Sequence, residues 1–170
     1  MTPLPARAGT VWALIVVLAG IGAGSCAAEP DTDLSGKIDG VMLARQRPSA
    51  TVDEIVGGFD IYLELGAQAP AAVDVAPNTG SFVLVRESDQ KALTDLKVDC
   101  LTTRHLVPGD KASVHVTVAQ EGVAQTLPTA LMDQICQAGW LRIDAIIPDT
   151  PGGTPNTPLR SVSFELINCQ

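Results

Sequence analysis

Apolar and polar residues alternate with a period of two in four separate stretches of the chain. That is the signature of strands with one face on a core and the other in water. Phe59-Asp60-Ile61-Tyr62-Leu63-Glu64-Leu65 puts four apolar side chains on one face, and Ala112 to Val118, Leu141 to Ile147 and Val162 to Leu166 repeat the device. Ser81 to Val85 is apolar on both faces, as a strand covered from two sides would be. Leu96 to Leu101 is a sixth candidate strand and Val123-Ala124 a short seventh. Turn-forming residues separate them: Pro77-Asn78-Thr79-Gly80, Pro108-Gly109-Asp110 and the run Pro151 to Asn156.

One segment departs from period two. Thr129 to Gly139 contains good helix formers, apolar residues at Leu131, Met132 and Ile135, a threonine placed to cap its start and a glycine to stop it. Evenly spaced strands with a single short helix predict a mainly β fold: an antiparallel β-sandwich (Ig-like or related) with the helix in a crossover. The folded body is expected over residues 51–170.

The first quarter of the chain is built differently. From Met1 to Ala28 the only charged side chain is Arg7, and the 13 residues Val11 to Ala23 form an apolar run, the basic n-region and h-region of a secretory signal. The run ends in Ala23-Gly24-Ser25-Cys26. Small residues leading to a cysteine resemble the lipobox of bacterial lipoproteins, with Ala23 where that family usually has Leu. The resemblance implies that residues 1–25 are a lipoprotein signal peptide and that Cys26 carries a diacylglyceryl thioether. The membrane partner is then reached through lipid, on the extracytoplasmic side of a bacterial cell envelope. Ordinary cleavage near Ala27 or Ala28, giving a soluble secreted protein, and an uncleaved anchor are the alternatives. Residues 26–50 are polar and acidic and read as a tether, with at most a short strand at Val41 to Ala44.

Composition narrows the partners. Of 170 residues 46% are hydrophobic, enough for a packed core, while 4% are aromatic, so that core is built mainly of Val, Leu, Ile and Ala. The net charge of −8 is the wrong sign for a phosphate-binding surface, which excludes nucleic acid.

With lipid on Cys26, three cysteines remain: Cys100, Cys136 and Cys169. In an oxidising compartment two of them are expected to pair, and their spacing does not choose which. No CxxC spacing of a metal knuckle or redox pair is present.

Local patterns for chemistry are few. Asp31, Asp33, Ser35 and Asp39, with Gly36 between, resemble the calcium loop of EF-hand and dockerin proteins. Position twelve is Met42, where a bidentate carboxylate belongs, so the stretch is expected to be a solvated acidic linker. Ser88 and Lys91 match S-x-x-K by coincidence, and no G-x-S-x-G, P-loop, Rossmann glycine set or HExxH occurs. No cofactor is expected. The reading that follows is a non-catalytic binding or structural module held at the envelope, with a protein or glycan partner met by end loops such as 66–80 and 149–158. One alternative is a small secreted metal-dependent or hydrolytic enzyme using Asp99, His105, Asp110 and His115; another is an inhibitor or immunity-type lipoprotein.

Overall fold

The structure, a computed structural model, describes residues 33–100, 103–120, 123–148 and 156–169. Two long strands, β1 (Leu34–Gln46) and β2 (Val52–Leu65), form an antiparallel hairpin paired from Leu34 opposite Leu65 to Gln46 opposite Glu54. The first part of β2 pairs with a later strand, Val123–Pro128, and its second part with Lys111–Gln120. Between them in chain order lie β3 (Val73–Val75), β4 (Ser81–Arg86), β5 (Lys91–Asp95), β6 (Val98–Asp99) and β7 (Arg104–Leu106), so those two partners of β2 are β9 and β8. The first sheet has the order β1-β2-β9-β8-β6. A second contains β5, β4, β10 (Leu141–Pro148) and β11 (Asn156–Arg160), and β3 pairs with β7 as a separate ribbon. Helix α1 (Thr129–Gln137) carries the chain from β9 in the first sheet to β10 in the second. The fold is thus mainly β and antiparallel, with its single described α-helix in a crossover.

The alternation explains the core. Phe59, Ile61, Leu63 and Leu65 of β2, Val114 and Val116 of β8, and Leu141, Ile143, Ala145 and Ile147 of β10 are all buried in one cluster. Phe59 and Phe82 meet across the two sheets with ring centroids 5.6 Å apart. Burying a side chain of this size contributes about 1.5–3 kcal/mol, so the facing rows are what hold the sheets together. The opposite face of the first sheet is polar, with Lys111 on Glu64 and His115 on Asp60 across neighbouring strands.

Residues 34–46 do not belong to a tether, as their polarity suggests, but to β1. Their missing signal is a bulge: the register shifts between Asp39 and Met42, with Gly40 at φ +59° and Gly57 at φ +120°. A bulge inserts an extra residue and flips the parity of everything after it. Ile38 and Leu43 therefore both face the core, and period two is broken in between. The tether residues 26–32 lie outside the described residues.

Two further expectations change for topological reasons. Of the expected strand Leu96 to Leu101, only Val98–Asp99 is strand among the described residues and Leu101 lies outside them; the chain leaves the second sheet after β5 and joins the first as β6. The buried Gln125 side chain bridges that step, accepting from Lys97 N–H at 2.9 Å and donating to the Asp95 carbonyl at 2.7 Å. Val162 to Leu166 forms no ladder either; the last strand is β11, ahead of it. The segment after β11 bonds to both sheets: Ser161 to Ile143 and Phe164 to Leu141 in the second, then Ile167 to Leu43 and Arg45 in the first. It closes one open side of the sandwich as a strap.

Thr129 is the first residue of α1 rather than its cap; Pro128 holds the capping position and the Thr129 hydroxyl is buried without a partner. Gly139, at φ +68°, stops the helix as expected. Among the described residues no helix is long and apolar enough to cross a membrane.

Candidate functional site

The sequence predicts that two of three body cysteines pair, and the structure joins Cys136 of α1 to Cys169 of the strap, with Cα atoms 5.2 Å apart. Cys100 is a buried free thiol. The site assembles around this bridge. The bulge in β1 turns Arg45 inward alongside Leu43, and Asp53 on β2 faces inward alongside Ile55, so a cation and a carboxylate meet at the end of an apolar interior. Arg45 donates to both oxygens of Asp53, at 2.8 and 3.0 Å, and to Asp133 of α1 at 2.8 Å. Its remaining nitrogen lies 3.9 Å from the Cys136 sulfur. Arg47 adds a 3.0 Å bond to Asp53, whose side chain is wholly buried. The hydrogen bonds Arg45 donates to Asp53 raise its pKa above the ordinary arginine value, against the lowering effect of burial.

A second buried arginine organises the neighbouring edge. Strand alternation puts Arg142 on the solvent side of β10, yet the residue is only 4% exposed, because the β4–β5 turn folds over it. It grips Asp144 through both carboxylate oxygens, at 2.8 and 2.9 Å, and reaches Glu87 at 3.1 Å and the Gln90 side-chain oxygen. Arg160 adds a 3.0 Å bond to Asp144. The hydrogen bonds Arg142 donates to Asp144, then to Glu87, raise its pKa, and the same bonds hold the Asp144 carboxyl below its usual range.

Between these clusters the surface is grooved. One groove of about 540 Å³ is lined by Glu87, Ser88, Ala138, Gly139, Trp140 and Ser163. A second, of about 570 Å³, shares Gly139 and continues over the disulfide to Glu165 and Asn168. Trp140 is 57% exposed at the junction of α1 and β10.

The other predicted residues lie elsewhere. His105 bonds Asp74 across the β3–β7 ribbon at 2.8 Å, and His115 bonds Asp60 across β2 and β8, also at 2.8 Å. Asp110 accepts from the Val107 N–H in a turn, and Asp99 is half-buried in β6. The four are therefore not gathered, and among the described residues no three His, Cys, Asp or Glu side chains converge to hold a metal ion. Ser35 and Asp39 lie in β1, where an extended backbone replaces the calcium-loop turn, and Asp39 accepts from Lys37 and from the Gly40 N–H. Asp33 sits just before β1; Asp31 and Cys26 lie outside the described residues, as does most of loop 149–158. Ser88 falls in the β4–β5 turn, not at a helix start.

Sequence reasoning passed over Trp140, Glu87 and Arg142. The available signal was a tryptophan outside any strand pattern, directly after a helix-stopping glycine. Comparison with protein-family models, with curated proteins and with solved structures finds no match.

Proposed function

We propose that this chain is an envelope lipoprotein whose antiparallel β-sandwich serves as a non-catalytic binding module. The leader carries the reading: one basic residue, an apolar run and then Ala23-Gly24-Ser25-Cys26. The Cys136–Cys169 bridge is in keeping with an oxidising compartment, and it leaves Cys26 as a cysteine for lipid. Two or more acyl chains on one cysteine hold a protein firmly, since each buried methylene adds about 0.8 kcal/mol.

On this reading the leash enters at Asp33, whose carbonyl accepts from Gly66 N–H at 3.0 Å at one end of the sandwich. Strand β1 then runs from Leu34 to Gln46, roughly 40 Å at strand rise. Arg45, the disulfide and the grooves lie toward the other end, so the module would present them away from the bilayer. The separate engagement of His105 and His115 gives the hydrolase alternative no assembled site. Blocking lipoprotein signal peptidase with globomycin tests the anchoring: the precursor is expected to accumulate, and unchanged processing contradicts it.

A further inference from the structure

Trp140 is held on rigid backbone. Its carbonyl accepts from the Glu87 N–H at 3.0 Å, and the next residue, Leu141, exchanges two 2.8 Å bonds with Phe164. The chain has two tryptophans, and this one presents 57% of its surface. A large aromatic exposed beside a groove offers a flat apolar face on which a ligand ring can lie. Around it are fixed hydrogen-bonding groups. The Glu87 carboxylate is oriented by Arg142, itself locked on Asp144, and Ser88 and Ser163 bring hydroxyls to the same groove. Past Gly139, where an added Cβ would meet nothing within 4 Å, the second groove begins, with Glu165 and Asn168 in its lining.

We propose that this groove binds a neutral carbohydrate, with one pyranose ring lying on the Trp140 indole and its hydroxyls donating to Glu87. Three observations select that ligand. A net charge of −8, with Glu87 in this groove and Glu165 in the adjoining one, disfavours an anionic sugar. The charge of Glu87 is already met by Arg142, so the group next to the indole can accept another hydrogen bond but lacks an unpaired charge for a cation. An apolar ligand would strip water from the Glu87 carboxylate and from Ser88 and Ser163 without replacing its bonds. Sugar rings answer both demands, with an apolar CH face for the indole and hydroxyl donors for the acceptors around it.

The inference rests on the binding-module reading but not on the lipid anchor, so a protein without lipid could still bind sugar and a lipoprotein could fail to. The test is isothermal titration of the full chain in detergent with chitotetraose, cellotetraose and maltotetraose, and with a lysine-rich peptide for comparison. Saturable binding of at least one tetrasaccharide is expected. Trp140→Ala should weaken it about tenfold or more, a loss of about 1.4 kcal/mol. Ser163→Arg, which fills the groove from an exposed position, should weaken it similarly, with the unfolding midpoint of both variants unchanged. Absence of saturable binding to all three sugars, binding that survives both substitutions, or binding of the peptide alone would overturn the proposal.

Discussion

Arg45 and Asp53 face each other on the inner side of the sandwich, the guanidinium bonded to both carboxylate oxygens at 2.8 and 3.0 Å. The Asp53 side chain has no exposed surface and that of Arg45 has 8%. Removing one member strands the other, which costs about 3–5 kcal/mol in such pairs, whereas replacing both with apolar residues is close to neutral. Asp53→Ala should therefore lose about 3–5 kcal/mol in urea unfolding. The double variant Arg45→Met, Asp53→Leu should recover much of that loss, because half-exposed Arg47 can return to water.

The pair exists because of a bulge. A side chain at Gly57 would place its Cβ 1.9 Å from the Met42 carbonyl, at a φ of +120° that L-residues rarely adopt. Gly57→Ala should destabilise the fold by about 1–3 kcal/mol, the cost of a strained backbone position. It should also loosen Arg45, read as faster amide exchange at Arg45 and Ile167, whose N–H groups bond across β1 and the strap.

The disulfide closes a loop across 33 residues. In the chain-entropy model such a crosslink contributes about 3–4 kcal/mol. The double variant Cys136→Ser, Cys169→Ser should lose about that much, and a reducing agent should lower the stability of the unmodified chain equally. Buried Cys100 should resist alkylation until the protein unfolds.

Acid should weaken the Arg142 cluster. A carboxyl whose folded pKa lies below its unfolded value stabilises fully above the unfolded value, and that contribution is lost as pH falls through the folded one. Asp144 is held down first by its bonds to Arg142, so its contribution is complete above about pH 3.8 and fades below it. Unfolding followed from pH 6 to 2 should show a smaller acid-dependent loss for Asp144→Asn than for the unmodified chain.

What the sequence made legible follows from which features are local. Period two located the second half of β2, β8 and β10, and an unbroken apolar run located β4, because each is a regular strand with one face or both on the core. The α1 helix was legible from its apolar spacing and Gly139. The bulge was not, since Gly40 and Gly57 act only through pairing across β1 and β2, and its parity flip disguised a strand of 13 residues as polar linker. The strap was misread for the related reason that Phe164 and Ile167 bond to different sheets. The histidines were nominated by nearness in sequence, while their partners, Asp74 and Asp60, are 31 and 55 residues away. Trp140 and Glu87 come together only when the β4–β5 turn folds over Arg142.

Whether the chain is anchored through Cys26 as proposed is read directly by intact mass spectrometry of its N-terminal peptide from native cells. The expected species begins at Cys26 and carries the added mass of a diacylglyceryl group on its sulfur. A peptide beginning at Met1, Ala27 or Ala28, or an unmodified Cys26, would contradict it.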